Sequence, residues 1–460
     1  MSFLAVESGM RHWFDAPPPA GTGACVAYVD TPGAWVAACG PLVEADDAAY
    51  PGELSRAALR FVDAARASGR RACFFGSEAG EHRGLSRLLV GAQPVFHPGQ
   101  WLRDLAGHRR LREQLRRARA KGLRVRAVPA DELAEGCPLR EEIEQLARGW
   151  LDSRHMEPMG FLVALEPFRC APLHRYFVAE VGGRAVGFLS AVPIGRRHAW
   201  LVEDVVRSAG APNGTTESLL VALMREVADS EYVTLGLTPL AGPVAWPLRG
   251  VRWISRPLFD FAGLRAFRER LHPHAWQSVW LAYAEGGSPA RPVLDALRAF
   301  ARGSLVGFAA RSLVRHPSGL PWALALPLPP WTAGLVWLLA SHRAALLGFS
   351  PAELAVWAAF DAMLLLVLVR AAMRPQRSRL LLATSLAVVD SFLSLGHLAW
   401  VGLGPTAVHA ALRALATMAP AVGALLLAWA TTRTASMVPA ATSPITEARR
   451  TSPTEAVARP

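Results

Sequence analysis

The sequence predicts an α/β domain of two similar halves followed by an all-α membrane bundle, and three observations carry that prediction. Charge is split along the chain. Only nine charged residues lie between Pro321 and Thr432, although 49 Lys or Arg and 37 Asp or Glu are present among 460 residues. Residues 24–285 alternate short β-like runs with helical stretches. Four apolar stretches follow, roughly 322–340, 353–370, 380–400 and 411–431, each near the ~20 residues that cross ~30 Å of hydrocarbon. With 52% hydrophobic and 19% charged residues, a disordered chain is excluded. The length excludes a single small domain.

The elements read as follows. Residues 1–23 form an N-terminal extension without the apolar core or cleavage site of a signal peptide. ACVAYVD and WVAACGP are paired strands. LSRAALRFVDAARASG is a helix that Gly69 stops, and RRACFFGS is a strand. A first half spans 24–128. The second, 129–285, begins with the helix LREEIEQLARGWL. RYFVAEVGGRAVGFLSAVPI is a hairpin turning at Gly182-Gly183, and AWLVEDVVRS is a strand. Asn213-Gly214-Thr215 opens the helix TESLLVALMREVADS, and EYVTLGL is a strand ending at Pro239. Residues 286–320 form an amphipathic linker. Val293, Leu294, Leu297, Phe300 and Phe308 lie on one side and Arg291, Arg298 and Arg302 on another. This fits a helix in the membrane interface or one packed on the domain.

Residues 321–432 hold the four spans. Pro321, Pro327, Pro329 and Pro330 are expected to kink or delay the first. The loop with Arg370, Arg374, Arg377 and Arg379 contains no acid, so the positive-inside rule puts it in the cytoplasm, with the α/β domain and the tail. The tail, 433–460, is Ser/Thr/Pro/Ala-rich and expected to be disordered. Asp361, Asp390, His397 and Arg413 fall inside spans. They form either a polar pocket or path, or an internal Asp–Arg pair.

The net charge of +12 is also localised. Leu102–Arg126 holds ten basic and two acidic residues. On a helix, Leu111, Leu115 and Ala118 form an apolar stripe, and Arg109, Arg112, Arg116 and Arg119 a cationic one, taken as un-neutralised. That density favours phosphate, either tRNA backbone or anionic lipid heads. Trp101 is a stacking, anchoring or core residue. Lys121 is the only lysine, so a choice of Arg at one site carries little meaning. Five scattered cysteines without CxxC point to a reducing compartment, not a zinc site. His272 and His274 have no third ligand nearby; no metal and no cofactor is expected.

Glu203, Asp204 and Arg207 sit at a central strand end, where an acid for an attacking hydroxyl and a donor for an oxyanion would converge. Strict alternation puts Glu203 with Arg207 and Asp204 on the other face, unless a bulge intervenes. An Asp204–Arg207 salt bridge is the structural alternative. Asn213, Gly214 and Thr215 offer helix-start N–H groups to an anion or carbonyl, or simply cap the helix.

The order WLVEDVVR, APNGTTESLL, VTLGLTPLAG and LRAFRERLHPHAW resembles the C-terminal catalytic domain of the phosphatidylglycerol lysyltransferase (aminoacyl-phosphatidylglycerol synthase) family. WLRDLAGHRRLREQLRRARAKGLRV and FFGSEAG are similar to its Arg-rich helix and the strand before it. The likeness covers about 24–285. It implies a tandem GNAT-like acyltransferase domain that moves an aminoacyl group from aminoacyl-tRNA to a phospholipid hydroxyl, usually of phosphatidylglycerol, at the bacterial inner membrane. It puts Asp204 and Arg207 at the family's acid and arginine positions; on our reading Asn213 to Thr215 and the 236–240 turn, with Gly236 and Pro239, lie beside them. Arg268 and Arg270 stand where the family usually has lysines, for lipid phosphate or the tRNA end. Two departures are plain: the membrane helices follow the domain and are few. The GNAT pyrophosphate signature R/Q-x-x-G-x-G/A is also absent, which weakens a CoA reading. An acyl-CoA-dependent acyltransferase and a non-catalytic domain regulating the bundle are the alternatives.

Overall fold

The computed structural model describes all residues except 1–4, 16–22, 45–49, 79–81, 155–156, 241–243, 245–247, 249–259, 316–318, 344–346, 374–375, 403–406 and 437–460. The expected tail therefore lies almost wholly outside the described residues, as does Arg374. The chain divides into two compact units, Met1–Ser312 and Leu313–Pro460.

The first unit is built on one sheet. Its first-half strands are β1 (Arg11–Phe14), β2 (Cys25–Thr31), β3 (Ala34–Ala38), β4 (Arg71–Ser77) and β5 (Leu85–Phe96). The second half adds β6 (Arg124–Val128), β7 (Arg175–Val181), β8 (Arg184–Ile194), β9 (Ala199–Arg207), β10 (Tyr232–Thr234), β11 (Thr238–Pro239) and β12 (Ala275–Ala284). Their order in space is β1-β2-β3-β4-β12-β5-β10-β9-β8-β7-β6, with β11 on β5. The stretch expected to be an extension thus supplies β1, which pairs with β2. The last strand, β12, returns across the whole second half to insert between β4 and β5. Among the described strands, only β3–β4 and β9–β10 are parallel. A mixed α/β sheet results.

The helices follow from period and caps. In α1 (Tyr50–Ala67), Leu54, Ala57, Ala58, Phe61 and Ala65 face the sheet, and Phe61 packs edge-on to Trp13 and Tyr28. Gly69, at φ +69°, ends it. Pro98 starts α2 (Pro98–Asp104). Trp101 there is a core residue, 1% exposed, its indole donating to Leu271 O at 2.7 Å. Next come α3 (Arg109–Ala120), α4 (Pro138–Asp152), α5 (Thr215–Glu226) and α6 (Phe261–Glu269), the last capped by Asp260. Helices α3 and α5 bury Leu111, Leu115, Leu219 and Leu223 with Val202 of β9, while α4 covers the other face with Ile143 and Leu146.

Helix α7 (Ala290–Phe300) settles the linker in favour of packing. It lies on β2, β3, β4 and β12, Asp295 is 1% exposed, and Arg71 donates to it twice at 2.9 Å. The sheet takes its buried face, as the packed alternative expects. Leu294 and Leu297 stay partly exposed. Helix α8 (Leu305–Arg315) follows.

The second unit contains α9 (Gly319–Ala325), α10 (Leu328–Ala340), α11 (Pro351–Met373), α12 (Arg377–Val401) and α13 (Ala407–Ser436). Among the described residues, four stretches are long and apolar enough to cross a membrane: Gly319–Ala340, Pro351–Met373, Arg377–Val401 and His409–Thr432. The first is broken before Leu328, where Pro327 interrupts the ladder as its prolines led us to expect.

Candidate active site

The centre of the site is a β-bulge. Strand β9 pairs Val202 with Ala191 and Asp204 with Ser190, so Glu203 is the extra residue. Alternation shifts there. Val202 and Val205 face α3 and α5, and Leu201 and Val206 face the opposite side. Glu203 and Asp204 both fall on that opposite side, between Leu201 and Val206. Sequence alternation alone would have parted them.

Asp204 is 8% exposed. Ser190 Oγ donates to its Oδ2 at 3.3 Å and accepts from its backbone N–H at 3.2 Å. Among the described residues no cation pairs with it. Burial, then the neighbouring Glu203, pushes its pKa from 3.8 to about 8, against the Ser190 hydrogen bond. Glu203 meets His174 Nε2 at 2.7 Å. The His174 ring, whose Nδ1 lies 3.2 Å from Cys170 O, stacks on Tyr176. Glu7, from the N-terminal segment, joins the same cluster. Burial and Glu203 raise its carboxyl to about 7, and the Leu162 N–H opposes that. Phe161 and Leu162 are held at φ +40° and +63°, uncommon for side-chain-bearing residues, which aims the Leu162 N–H at Glu7. Glu166, bonded by Ser8 and Arg169, adds charge nearby.

Arg207 is not part of this group. It lies exposed at the strand end, opposite Gly187, close enough to Arg154 for mutual repulsion. No hydrogen bond or ion pair joins it to Asp204 among the described residues.

The parallel pair β9–β10 opens early. Tyr232, Val233 and Thr234 match Ala199, Trp200 and Leu201, and pairing stops there. Beyond Leu201 the edge of β9 faces the turn after β10, where Gly236 has φ +68°. Arg268 of α6 holds that turn. Its guanidinium donates to Leu235 O (2.6 Å), Gly236 O (2.9 Å) and Thr238 Oγ1 (2.6 Å). Its acceptors are all neutral, and burial lowers its pKa to about 10. Pro239 continues the turn as part of β11 on Gly91 of β5. Arg268 is thus a clamp on the turn, whereas Arg270, past the end of α6, is exposed.

The helix-start residues lie elsewhere. Gly214, at φ +101°, caps α5, and a Cβ there would meet Gln114 O of α3 at 2.8 Å. Thr215 is buried and its hydroxyl donates to Pro212 O at 2.7 Å. Only Asn213 is exposed; with Arg109, Arg110, Gln114, Arg116, Arg117 and Lys121 it lines an open concavity under α3. The cationic stripe is partly neutralised, contrary to the sequence reading: Glu113 accepts from Arg116 at 2.8 Å and Arg117 at 2.7 Å. Arg112 and Arg119 are exposed and outside that concavity. Among the described residues no disulfide joins the cysteines, and no His, Cys, Asp and Glu group has metal-binding geometry. His272 stacks on His108 and His274 meets the His97 N–H.

Residues 1–283 match the family described as phosphatidylglycerol lysyltransferase, C-terminal. The chain belongs to that family. A phosphatidylglycerol lysyltransferase of Bacillus subtilis (strain 168) is 27% identical over 160 residues, which are 32% of this chain and 18% of that protein. The chain therefore spans under a fifth of that relative's length. Two solved structures share the fold. The C-terminal domain of a putative lysylphosphatidylglycerol synthetase from Agrobacterium fabrum has TM-score 0.52 and 23% identity, covering 65% of this chain and 91% of that one. The L-PGS structure from Bacillus licheniformis has TM-score 0.50 and 19% identity, covering 64% and 90%.

Within this phosphatidylglycerol lysyltransferase-type domain, four residues of the acidic cluster escaped the sequence reading: Glu7, Glu166, His174 and Ser190. They come from separate segments, so no spacing could flag them. The matched region ends before the apolar helices.

Proposed function

We propose that this chain is a membrane-bound transferase that moves an aminoacyl group from aminoacyl-tRNA to the hydroxyl of a phosphatidylglycerol-like phospholipid. The observation that carries it is Asp204: a buried carboxyl without a counter-cation, beside the open edge of β9, with a proton affinity near the working pH. A general base is most effective there. The lipid hydroxyl oxygen attacks the ester carbonyl carbon and its proton passes to the Asp204 carboxylate. The tetrahedral intermediate collapses with cleavage of the bond to the tRNA ribose oxygen, which takes the proton back from Asp204.

Glu203 and His174 hold the bulge and keep negative charge beside Asp204, and the Arg268-clamped turn forms the opposite lip. Arg109, Arg110 and Asn213 supply a cationic surface for the tRNA backbone, while Arg207 and Arg270, both exposed, are available to the lipid phosphate. The four apolar helices fit a bacterial inner-membrane location with the α/β domain in the cytoplasm, on the charge of the loop around Arg377 and Arg379. Lipid extraction from cells expressing the full chain, followed by mass spectrometry, tests the reading. A new aminoacylated phospholipid that disappears with Asp204→Ala is expected. Unchanged lipids on expression of the wild-type chain would overturn it.

A further inference from the structure

The second unit contains a cavity of about 490 Å³ among its apolar helices, within the range of small-ligand sites. Its walls are mostly aliphatic and aromatic, but four ionisable side chains reach them: Asp361, Asp390, His397 and Arg413. An internal Asp–Arg pair would make this ordinary bundle packing. The structure does not contain one among the described residues. Arg413, 8% exposed, spends Nη1 on the carbonyls of Val401 (3.3 Å) and Gly402 (2.9 Å) at the end of α12. Its buried Nε–H has no acceptor. His397 is directed at Leu347 O (3.2 Å) and stacked on Phe349.

Asp361 and Asp390 are 5% and 4% exposed. Asp361 accepts from the Trp331 indole and Asp390 from Ser394 Oγ at 3.4 Å; among the described residues neither has a cation, and they are close enough to repel each other. Two carboxyl groups and an orphaned guanidinium N–H thus share one apolar chamber without satisfying each other. Such groups are costly in hydrocarbon and usually mark a ligand.

We infer that this cavity binds a lipid whose head group carries both an ammonium and a phosphate. The ammonium sits on Asp361 and Asp390, the phosphate pairs with the Arg413 guanidinium, which turns its unpartnered Nε–H toward the chamber, and the first acyl carbons lie against Leu364, Leu368 and Leu427. No residue of the α/β unit enters the inference, and its readout is lipid retention, not transfer. Its failure and that of the transferase reading are therefore distinguishable.

The test is native mass spectrometry of the full chain released from nanodiscs. The probes, at equal chain length, are phosphatidylethanolamine, phosphatidylglycerol and an alkylammonium lacking phosphate. Phosphatidylethanolamine should be retained over each of the other two by about tenfold, the ratio one well-made polar contact confers. Asp361→Asn with Asp390→Asn should erase the preference over phosphatidylglycerol, and Arg413→Gln the preference over the alkylammonium. Gly423→Phe keeps all four ionisable groups and fills the chamber, so it should abolish retention even where a charge variant fails to fold. Equal retention of phosphatidylethanolamine and phosphatidylglycerol by the wild-type chain, or full retention by Gly423→Phe, overturns the inference.

Discussion

Replacing Asp204 with Asn should make the α/β unit more stable and abolish the proposed transfer. The carboxamide keeps an acceptor for Ser190 Oγ, which also holds the residue 204 backbone N–H, but carries no charge into a site that is 8% exposed. In the folded chain burial and Glu203 lift the carboxyl from 3.8 to about 8. The folded state therefore keeps a proton that the unfolded chain has released between about pH 4 and 8. Stability falls as pH rises through that window, is unaffected by this group below it, and is constant above it. Four powers of ten in proton affinity bound the cost at about 5 kcal/mol, and relaxation with water entry leaves ~2–3 kcal/mol to be recovered by Asn. Scanning calorimetry of the full chain in detergent, following the α/β transition, measures it. The advantage of Asp204→Asn should grow from pH 5 to pH 8 and then level off, while transfer drops by about 10²-fold or more. Glu7, raised to about 7, titrates in the same window in both proteins and enters the difference only through its repulsion with Asp204. A variant less stable at every pH, or an advantage independent of pH, would refute the burial argument.

Other outcomes follow from the same geometry. Arg109→Gln with Arg110→Gln should reduce the salt dependence of the proposed tRNA binding by about two in log–log slope, seen by filter binding. Arg116→Gln with Arg117→Gln should do less, because Glu113 already holds both. Gly214→Ala places a methyl 2.8 Å from Gln114 O at φ +101°, so α3 should lift from α5; the loss of about 2 kcal/mol or more is read by denaturant unfolding. Leu115→Ala, emptying a side chain 5% exposed, should cost ~2–4 kcal/mol in the same assay. Arg268→Lys cannot reproduce three forked hydrogen bonds, and turnover should fall while the salt slope of tRNA binding stays put.

Element types were legible because period and punctuation are local. The apolar stripe Leu111–Leu115–Ala118, the Gly69 stop and the Pro327 break each state their outcome within a few residues. Asp204 and Glu203 were found from a strand end, but their common face depends on a bulge set by the register of β8 against β9. Glu7 and His174 reach them through tertiary packing, which no spacing encodes. The Arg stripe was visible while its partial neutralisation was not. Glu113 lies three and four residues before Arg116 and Arg117, so an i,i+3 and i,i+4 reading had the means to see it. The two aspartates of the apolar helices were located correctly, and only packing could show that Arg413 turns away from them.

The late arrival of β12 has a consequence for biosynthesis. Strands β4 and β5 are finished by Phe96, yet the strand that lies between them starts only at Ala275. At ~5–20 residues per second the ribosome needs roughly 10–35 s to supply it. Throughout that interval the nascent N-terminal half presents two unpaired strand edges, Arg71–Ser77 and Leu85–Phe96, to whatever pairs with them first. Closure of the sheet comes just before the first apolar helix emerges, so maturation of the α/β unit and capture of the chain by the insertion machinery compete for the same short stretch of translation.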